Sequence, residues 1–211
     1  MNNQNTLPEE NKTPTEEEAE VTTTVKSIAV FIWDLVKVFF TAFVLVWLII
    51  RPFIAEPFVV SGSSMVPNFH NREYLIIQKL SYRFNEPQRG DVIVFKYPVD
   101  PDQYFIKRII GLPGERVSVQ QGRVVIINSE HPSGFVLDEP YLPNQNVTLG
   151  RPDIVELGQN QYFVLGDNRL QSSDSRVWGA LPKSDIVGKV WLRVLPLRLF
   201  GIIPHYSYSS Q

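Results

Sequence analysis

Cysteine is missing from all 211 residues, and histidine occurs only as His70, His131 and His205. Without thiols the chain can form no disulfide, no thiolate metal site and no cysteine nucleophile, a composition that suits an oxidising compartment. None of the histidines stands in a His-Glu-x-x-His or comparable spacing, so a metalloenzyme is not expected. Clustered positive charge is scarce as well. The formal net charge is −2 with no basic block, which excludes the electrostatic footprint of a nucleic-acid binder. No internal repeat is visible. What is present is a hydrophobic content of 44%, enough for one good core and hence one domain with appendages.

Residues 1–24 are polar and include the acidic run Glu16, Glu17, Glu18 and Glu20. They hold too little apolar surface to offset ordering entropy, and the expectation is a disordered tail. The composition then flips. From Ile28 to Ile50 only Asp34, Lys37 and Thr41 interrupt the apolar run, and residues 25–52 read as a transmembrane anchor in which Asp34 and Lys37, one turn apart, pair or snorkel. Trp33 and Trp47 sit near its two ends, as interfacial aromatics do. A buried or interfacial helix of a soluble protein is the alternative. A cleavable leader fits poorly, because the run starts late, follows acid and has no small-x-small site behind it. Lys12 and Lys26 precede the apolar run while Arg51, Arg72 and Lys79 follow it, so local charge leaves the orientation open.

Beyond Arg51-Pro52 the pattern changes to short Val, Ile, Phe and Tyr runs bounded by Gly, Pro and Asn, the mark of strands and turns. Strands are expected at 74–79, 91–96, 104–110, 116–120, 123–127, 161–165 and 186–194. Pro113-Gly114 and Gln121-Gly122 supply turns between successive runs. Residues 128–160 read as a loop-rich excursion. The fold class is therefore mostly β, a single antiparallel domain over 53–211 preceded by one transmembrane helix.

Three islands within this domain could carry chemistry. The first runs from Glu56 to Pro67 and includes Gly62-Ser63-Ser64-Met65-Val66-Pro67; its freedom of backbone can hold a serine outward beside amides able to bind an oxyanion. The same composition suits a linker. In the second, Tyr104 to Glu115, the two-residue strand period puts Phe105, Lys107 and Ile109 on one face and Ile106, Arg108 and Ile110 on the other. Each face mixes apolar and basic residues, so a basic group must enter apolar surroundings, where desolvation makes a lysine easier to deprotonate. An edge strand with its lysine in water is the alternative. The third, Gly166 to Gly179, is dominated by side chains that bond to backbone or to each other, and forms either a cross-linked functional loop or a merely structural turn.

Together and in this order the islands resemble the bacterial type I signal peptidases. Gly62–Pro67 is similar to the family's nucleophile motif, Arg89-Gly90-Asp91-Val92-Ile93-Val94-Phe95 to the strand ahead of its base, Lys107-Arg108-Ile109-Ile110-Gly111-Leu112-Pro113-Gly114-Glu115 to its lysine motif, and Gly166–Gly179 to its last box. The resemblance implies Ser64 as nucleophile, Lys107 as general base, and Ser172 as the hydroxyl that orients the lysine amine. It implies an Asp174–Arg176 ion pair supporting that loop, with Arg108 and Asp167 in the same supporting shell. Phe58, Val60 and Ile106 would line shallow pockets for small substrate side chains. Gly62 stands where some relatives carry an oxyanion-binding serine, and Leu170-Gln171 replaces a common Asp-Asn.

The implied substrate is a secretory preprotein, cut after a small-x-small motif in a reaction that calls for no metal or organic cofactor. The implied setting is a bacterial cell membrane and its lipid, with the amino terminus cytoplasmic and the β domain on the outer face. Two rivals remain. A self-cleaving Ser-Lys repressor would need a DNA-binding domain that residues 1–50 do not offer. A noncatalytic membrane-tethered β module would be indifferent to loss of Ser64 or Lys107.

Overall fold

The computed structural model describes residues 16–53, 55–143, 147–150, 153–206 and 208, and the chain divides between Ile49 and Ile50 into two units. Helix α1 spans Glu16–Phe53. Within it Lys26–Leu48, of mean hydropathy 2.2, is long and apolar enough to cross a membrane; at 1.5 Å per residue it measures about 35 Å against a hydrocarbon layer of about 30 Å. Phe31, Ile32 and Trp33 point three ways around the helix, so its apolar surface runs all round and is not confined to one stripe. Lys37 and Asp34 pair at 3.0 Å.

Helix α1 corrects the expected tail. Residues 16–24 are helical, whereas 1–15 lie outside the described residues. Glu and Ala are strong helix formers, and acid in a first turn complements the positive end of the helix dipole. Low hydrophobicity alone does not prevent a helix when an apolar continuation propagates it.

The second unit is built on antiparallel pairing throughout. Strands β1 (Ala55–Val59), β2 (Tyr74–Gln78), β3 (Val92–Tyr97), β4 (Asp100–Gly111), β5 (Arg116–Gln120) and β6 (Arg123–Ile127) come first. They are followed by β7 (Phe135–Val136), β8 (Val155–Glu156), β9 (Gln161–Leu165), β10 (Leu181–Pro182), β11 (Ile186–Leu195) and β12 (Gly201–Ile202). The eight-stranded sheet has the order β1-β2-β11-β3-β4-β9-β10, with β12 on β11, and the four-stranded sheet has the order β7-β6-β5-β8.

The expected strands form, within a residue at most ends. β4 begins four residues before the expected Tyr104, and β1, β7, β8, β10 and β12 were not foreseen. The excursion 128–160 is more than loop: β7 and β8 complete the small sheet.

β3 is buried on both faces. Val92 and Val94 pack with Met65, Phe69, Leu75 and Ile77, and Ile93 and Phe95 with Ile109, Tyr162 and Val164. A third cluster joins the two sheets through Ile110, Val117, Ile126, Leu137, Leu157 and Phe163. Side chains of this size gain about 1.5–3 kcal/mol each on full burial, and β4, with buried neighbours on either face, becomes a rigid platform for whatever it carries.

Candidate active site

β1 leads directly into the serine turn. Val60 donates its N–H to Glu73 O at 2.9 Å and accepts from Arg72 N at 2.8 Å, and Phe69 N bonds Met65 O at 2.9 Å. Val60, Met65 and Phe69 are all buried, so both ends of the turn are anchored and Ser64 is held between them. Gly62 takes φ +92°, a left-handed conformation that glycine adopts without strain.

Lys107 rises from the middle of β4, where it is opposite Ile93 of β3. It is only 3% exposed. Its Nζ lies 2.7 Å from Ser64 Oγ and donates to Ile106 O at 2.9 Å, with the Phe105 ring centroid at 5.2 Å. Burial lowers the Lys107 pKa to about 8, against the opposing pull of Asp174 and Asp167. A cleft of about 420 Å³ opens over this pair, walled by Phe58, Ser61–Ser64, Gln103–Lys107, Gln171 and Ser173.

The loop after β9 closes the far side. Asn168 donates its backbone N–H to Ser64 O at 2.9 Å and its Nδ2 to Ser63 O at 3.1 Å. Gly166 leaves no room for a side chain, since a Cβ there would fall 2.2 Å from Ser172 Oγ and 2.5 Å from Ser64 O. Asp174 accepts from Gly166 N at 3.1 Å and grips Arg176 through both oxygens, Nε at 2.8 Å and Nη2 at 2.7 Å. It also caps the short helix α3 (Ser175–Trp178).

Arg108, next to the lysine but on the opposite face, makes a bidentate bond to Asp167, Nε to Oδ1 at 2.9 Å and Nη2 to Oδ2 at 2.7 Å. Both side chains are almost wholly buried. Its guanidinium also donates to Gly90 O at 2.9 Å and stacks 4.0 Å from the Tyr141 ring centroid. Asp167 receives a further bond from Asn68 Nδ2 at 2.8 Å. A buried pair of this kind contributes mainly by placement, because removing one partner leaves an uncompensated charge inside the fold.

The structure thus brings Ser64, Lys107, Arg108, Asp167, Asp174 and Arg176 into one connected region, with Phe58 and Ile106 on the cleft wall. Two expectations need correction. Ser172 does not bond the lysine: its Oγ is buried and without a hydrogen-bond partner, standing over Gly166 while the amine is engaged by Ser64 and the Ile106 carbonyl. Val60 does not wall the cleft but belongs to the core with Leu75 and Ile77, because the chain leaves β1 at Val59 and turns that side chain inward.

Sequence reading missed Asn68, Glu139, Tyr141 and Thr148. Arg169, 1% exposed, forms an ion pair with Glu139 and donates to Thr148 Oγ1 at 2.5 Å. These partners come from the excursion, where no local spacing announces them. Among the described residues no group of three or more His, Asp or Glu could hold a metal ion.

The family described as signal peptidase, peptidase S26 matches residues 32–195. Signal peptidase I of Leptolyngbya laminosa is 39% identical over 75% of this chain and 78% of its own length. Signal peptidase I S of Bacillus subtilis is 36% identical over 67% of this chain and 77% of its own. Among solved structures, a signal peptidase I from Enterococcus faecalis aligns at 31% identity over 50% of this chain and 97% of its own, with a TM-score of 0.42. The chain belongs to the signal peptidase family, peptidase S26. It is a serine endopeptidase that removes signal peptides from secretory preproteins.

Proposed function

We propose that Ser64 is the nucleophile and Lys107 the general base of this peptidase. The observation that carries the reading is the 2.7 Å approach of Lys107 Nζ to Ser64 Oγ by an amine whose pKa burial has lowered to about 8. An ordinary lysine, with a pKa of about 10.4, would be almost wholly protonated near neutrality and unable to accept a proton.

In the neutral state the Ser64 hydroxyl donates to Nζ. As Oγ attacks the scissile carbonyl carbon, the amine takes that proton, and the negative charge that develops on the carbonyl oxygen meets the Ser64 backbone N–H. The protonated amine then gives its proton to the departing amino group, leaving an acyl-enzyme. Water attacks the ester with Lys107 again as base, and the signal peptide is released. Arg108, Asp167, Asp174 and Arg176 hold the loop against which the serine turn rests.

The cleft between Phe58 on β1 and Ile106 on β4 suits small side chains, which supports cutting after a small-x-small motif. β1 is an edge of its sheet, able to receive an extended peptide by main-chain pairing. α1 would anchor the enzyme in lipid of a bacterial cell membrane, amino terminus in the cytoplasm and β domain outside, confining it with membrane-held substrates and raising their effective concentration.

Cleavage of a purified preprotein by the full chain in detergent tests the assignment. Ser64→Ala and Lys107→Ala should each cut at least about 1,000-fold more slowly, as removal of a nucleophile or its base does in serine proteases. Substantial cleavage by folded Ser64→Ala would overturn it.

A further inference from the structure

We infer that Asn168 is a positioning residue that aims the Ser64 backbone N–H at the developing oxyanion; the inference rests on Ser64 being the nucleophile. Asn168 holds two successive carbonyls, Ser63 O through Nδ2 at 3.1 Å and Ser64 O through its own N–H at 2.9 Å. Both acceptors are carbonyls, so the side-chain atom that faces Ser63 must be the amide nitrogen and not its oxygen.

The peptide linking Ser63 to Ser64 is planar and trans, which makes its C=O and N–H point in opposite directions. A bond that draws the Ser63 carbonyl toward Asn168 therefore turns the Ser64 N–H the other way. The second bond fixes the next peptide plane, so one residue restrains both planes that flank the Ser64 Cα.

The turn itself anchors the serine in part, with Gly62 N bonded to Asn71 Oδ1 at 3.1 Å. Val66 N reaches Ser63 O at 3.2 Å. On the other side, Gly62 sits at φ +92°, and apart from its chain neighbours no atom lies within 4 Å of where its Cβ would be. Gly62 also carries no hydroxyl that could share the oxyanion's charge.

Asn168 is suited to serve as a reference point because its neighbours are fixed. Asp167 is tied to Arg108 and Asn68, and Arg169 to Glu139 and Thr148. A donor aimed in advance requires no reorganisation at the moment of reaction, and losing one such donor outright costs about 100- to 1,000-fold in kcat. A donor that is present but released from its direction should lose less, about 10- to 100-fold.

The test uses the full chain in detergent with Asn168→Ala, Asn168→Gln and Ser64→Ala. It compares cleavage of a signal-peptide substrate with inhibition by a peptide aldehyde, which adds to the serine oxygen and mimics the tetrahedral state, and with binding of an uncleavable peptide of the same sequence. Asn168→Ala should lower kcat about 10- to 100-fold and weaken the aldehyde by the same factor. KM and uncleavable-peptide binding should stay within about twofold, and the acidic limb of the pH profile should not move. Asn168→Gln, which restores an amide donor on a longer arm, should recover part of kcat.

Unchanged aldehyde inhibition in Asn168→Ala would overturn the inference. So would a loss accompanied by a displaced acidic limb or a raised KM, since that pattern belongs to a distorted cleft. If Asn168→Ala does not fold, Asn168→Gln decides through the same comparison of aldehyde with uncleavable peptide. Cleavage by folded Ser64→Ala would remove the nucleophile reading itself. An inactive Ser64→Ala beside a fully active Asn168→Ala would remove only the role of Asn168.

Discussion

In the four-stranded sheet every pairing keeps its register. In the eight-stranded sheet the register shifts where β11 meets β2 and β3, where β3 meets β4, and where β4 meets β9. The contents differ in the same way. β5 and β6 of the small sheet bury Val117, Val119, Val124 and Ile126, with Ser118 the one buried polar residue between them. β4 of the large sheet buries two adjacent cations, Lys107 and Arg108.

Successive residues of a strand face opposite ways, so those two cations demand polar partners on both faces of the same strand. Ser64 answers on one side and Asp167 on the other, and neither belongs to a strand. The lesson is that a strand buried on both faces can position reactive groups well, provided that loops return to it from both directions. Bulges, here between Ile109 and Gly111 and between Lys96 and Tyr97, let the sheet bend to admit them.

The sharpest way to break this contrast is to leave one cation unanswered. Asp167→Ala strands the Arg108 guanidinium, and the unfolding free energy should fall by about 3–5 kcal/mol, read as a lowered urea midpoint for the full chain in detergent. An unchanged midpoint would mean that the pair contributes no placement.

Acid tests the other cation. With Lys107 held at about 8, kcat/KM should climb about tenfold per pH unit below that value and level off above it, so that pH 6 gives roughly one-hundredth of the plateau. A limb near pH 6.5 that moves with His70→Ala, His131→Ala or His205→Ala would point to histidine instead.

The sign for stability follows from the same value. Between about 8 in the fold and about 10.4 unfolded, the unfolded chain binds more protons, so stability from this group rises with pH across that window. Below the window both states are protonated and the group's contribution stays at its lower level.

The smallest effect belongs to the regular sheet. Ile126→Val should cost about 0.5–1.5 kcal/mol of stability, with kcat within about twofold of the parent. A larger fall in kcat would show that the sheets are energetically coupled.

What could be read in advance follows the range of the interactions. The strand 116–120 and its partner 123–127 were legible because alternation and the Gln121-Gly122 turn are local. Ser64 and Lys107 could be proposed from sequence because each lies within a short motif, and their 2.7 Å approach supports that proposal. β1 escaped because Glu56 and Pro57 break the apolar pattern, and the start of β4 because Asp100, Pro101 and Asp102 resist strand. The partners of Arg169 had no signal at all, since Glu139 lies 30 residues away in a stretch whose Pro and Gly content reads as loop. Ser172 and Val60 show a different limit: a motif identifies which residues gather, but the direction of a side chain is decided by packing.

The spans of these contacts bear on when the enzyme comes alive. Lys107 and Ser64 are 43 positions apart, Arg108 and Asp167 59, Asn168 and Ser63 105, and Arg193 and Asn68 125. Contacts of such separation carry the loop-closure entropy of everything between them and form late, after the hairpins. With the proposed dyad, a partly folded chain would hold a serine and a lysine but no peptidase. During refolding from denaturant, cleavage should accordingly return no earlier than the full far-ultraviolet circular dichroism, because the sheet pairing of β2 with β11 spans a comparable separation.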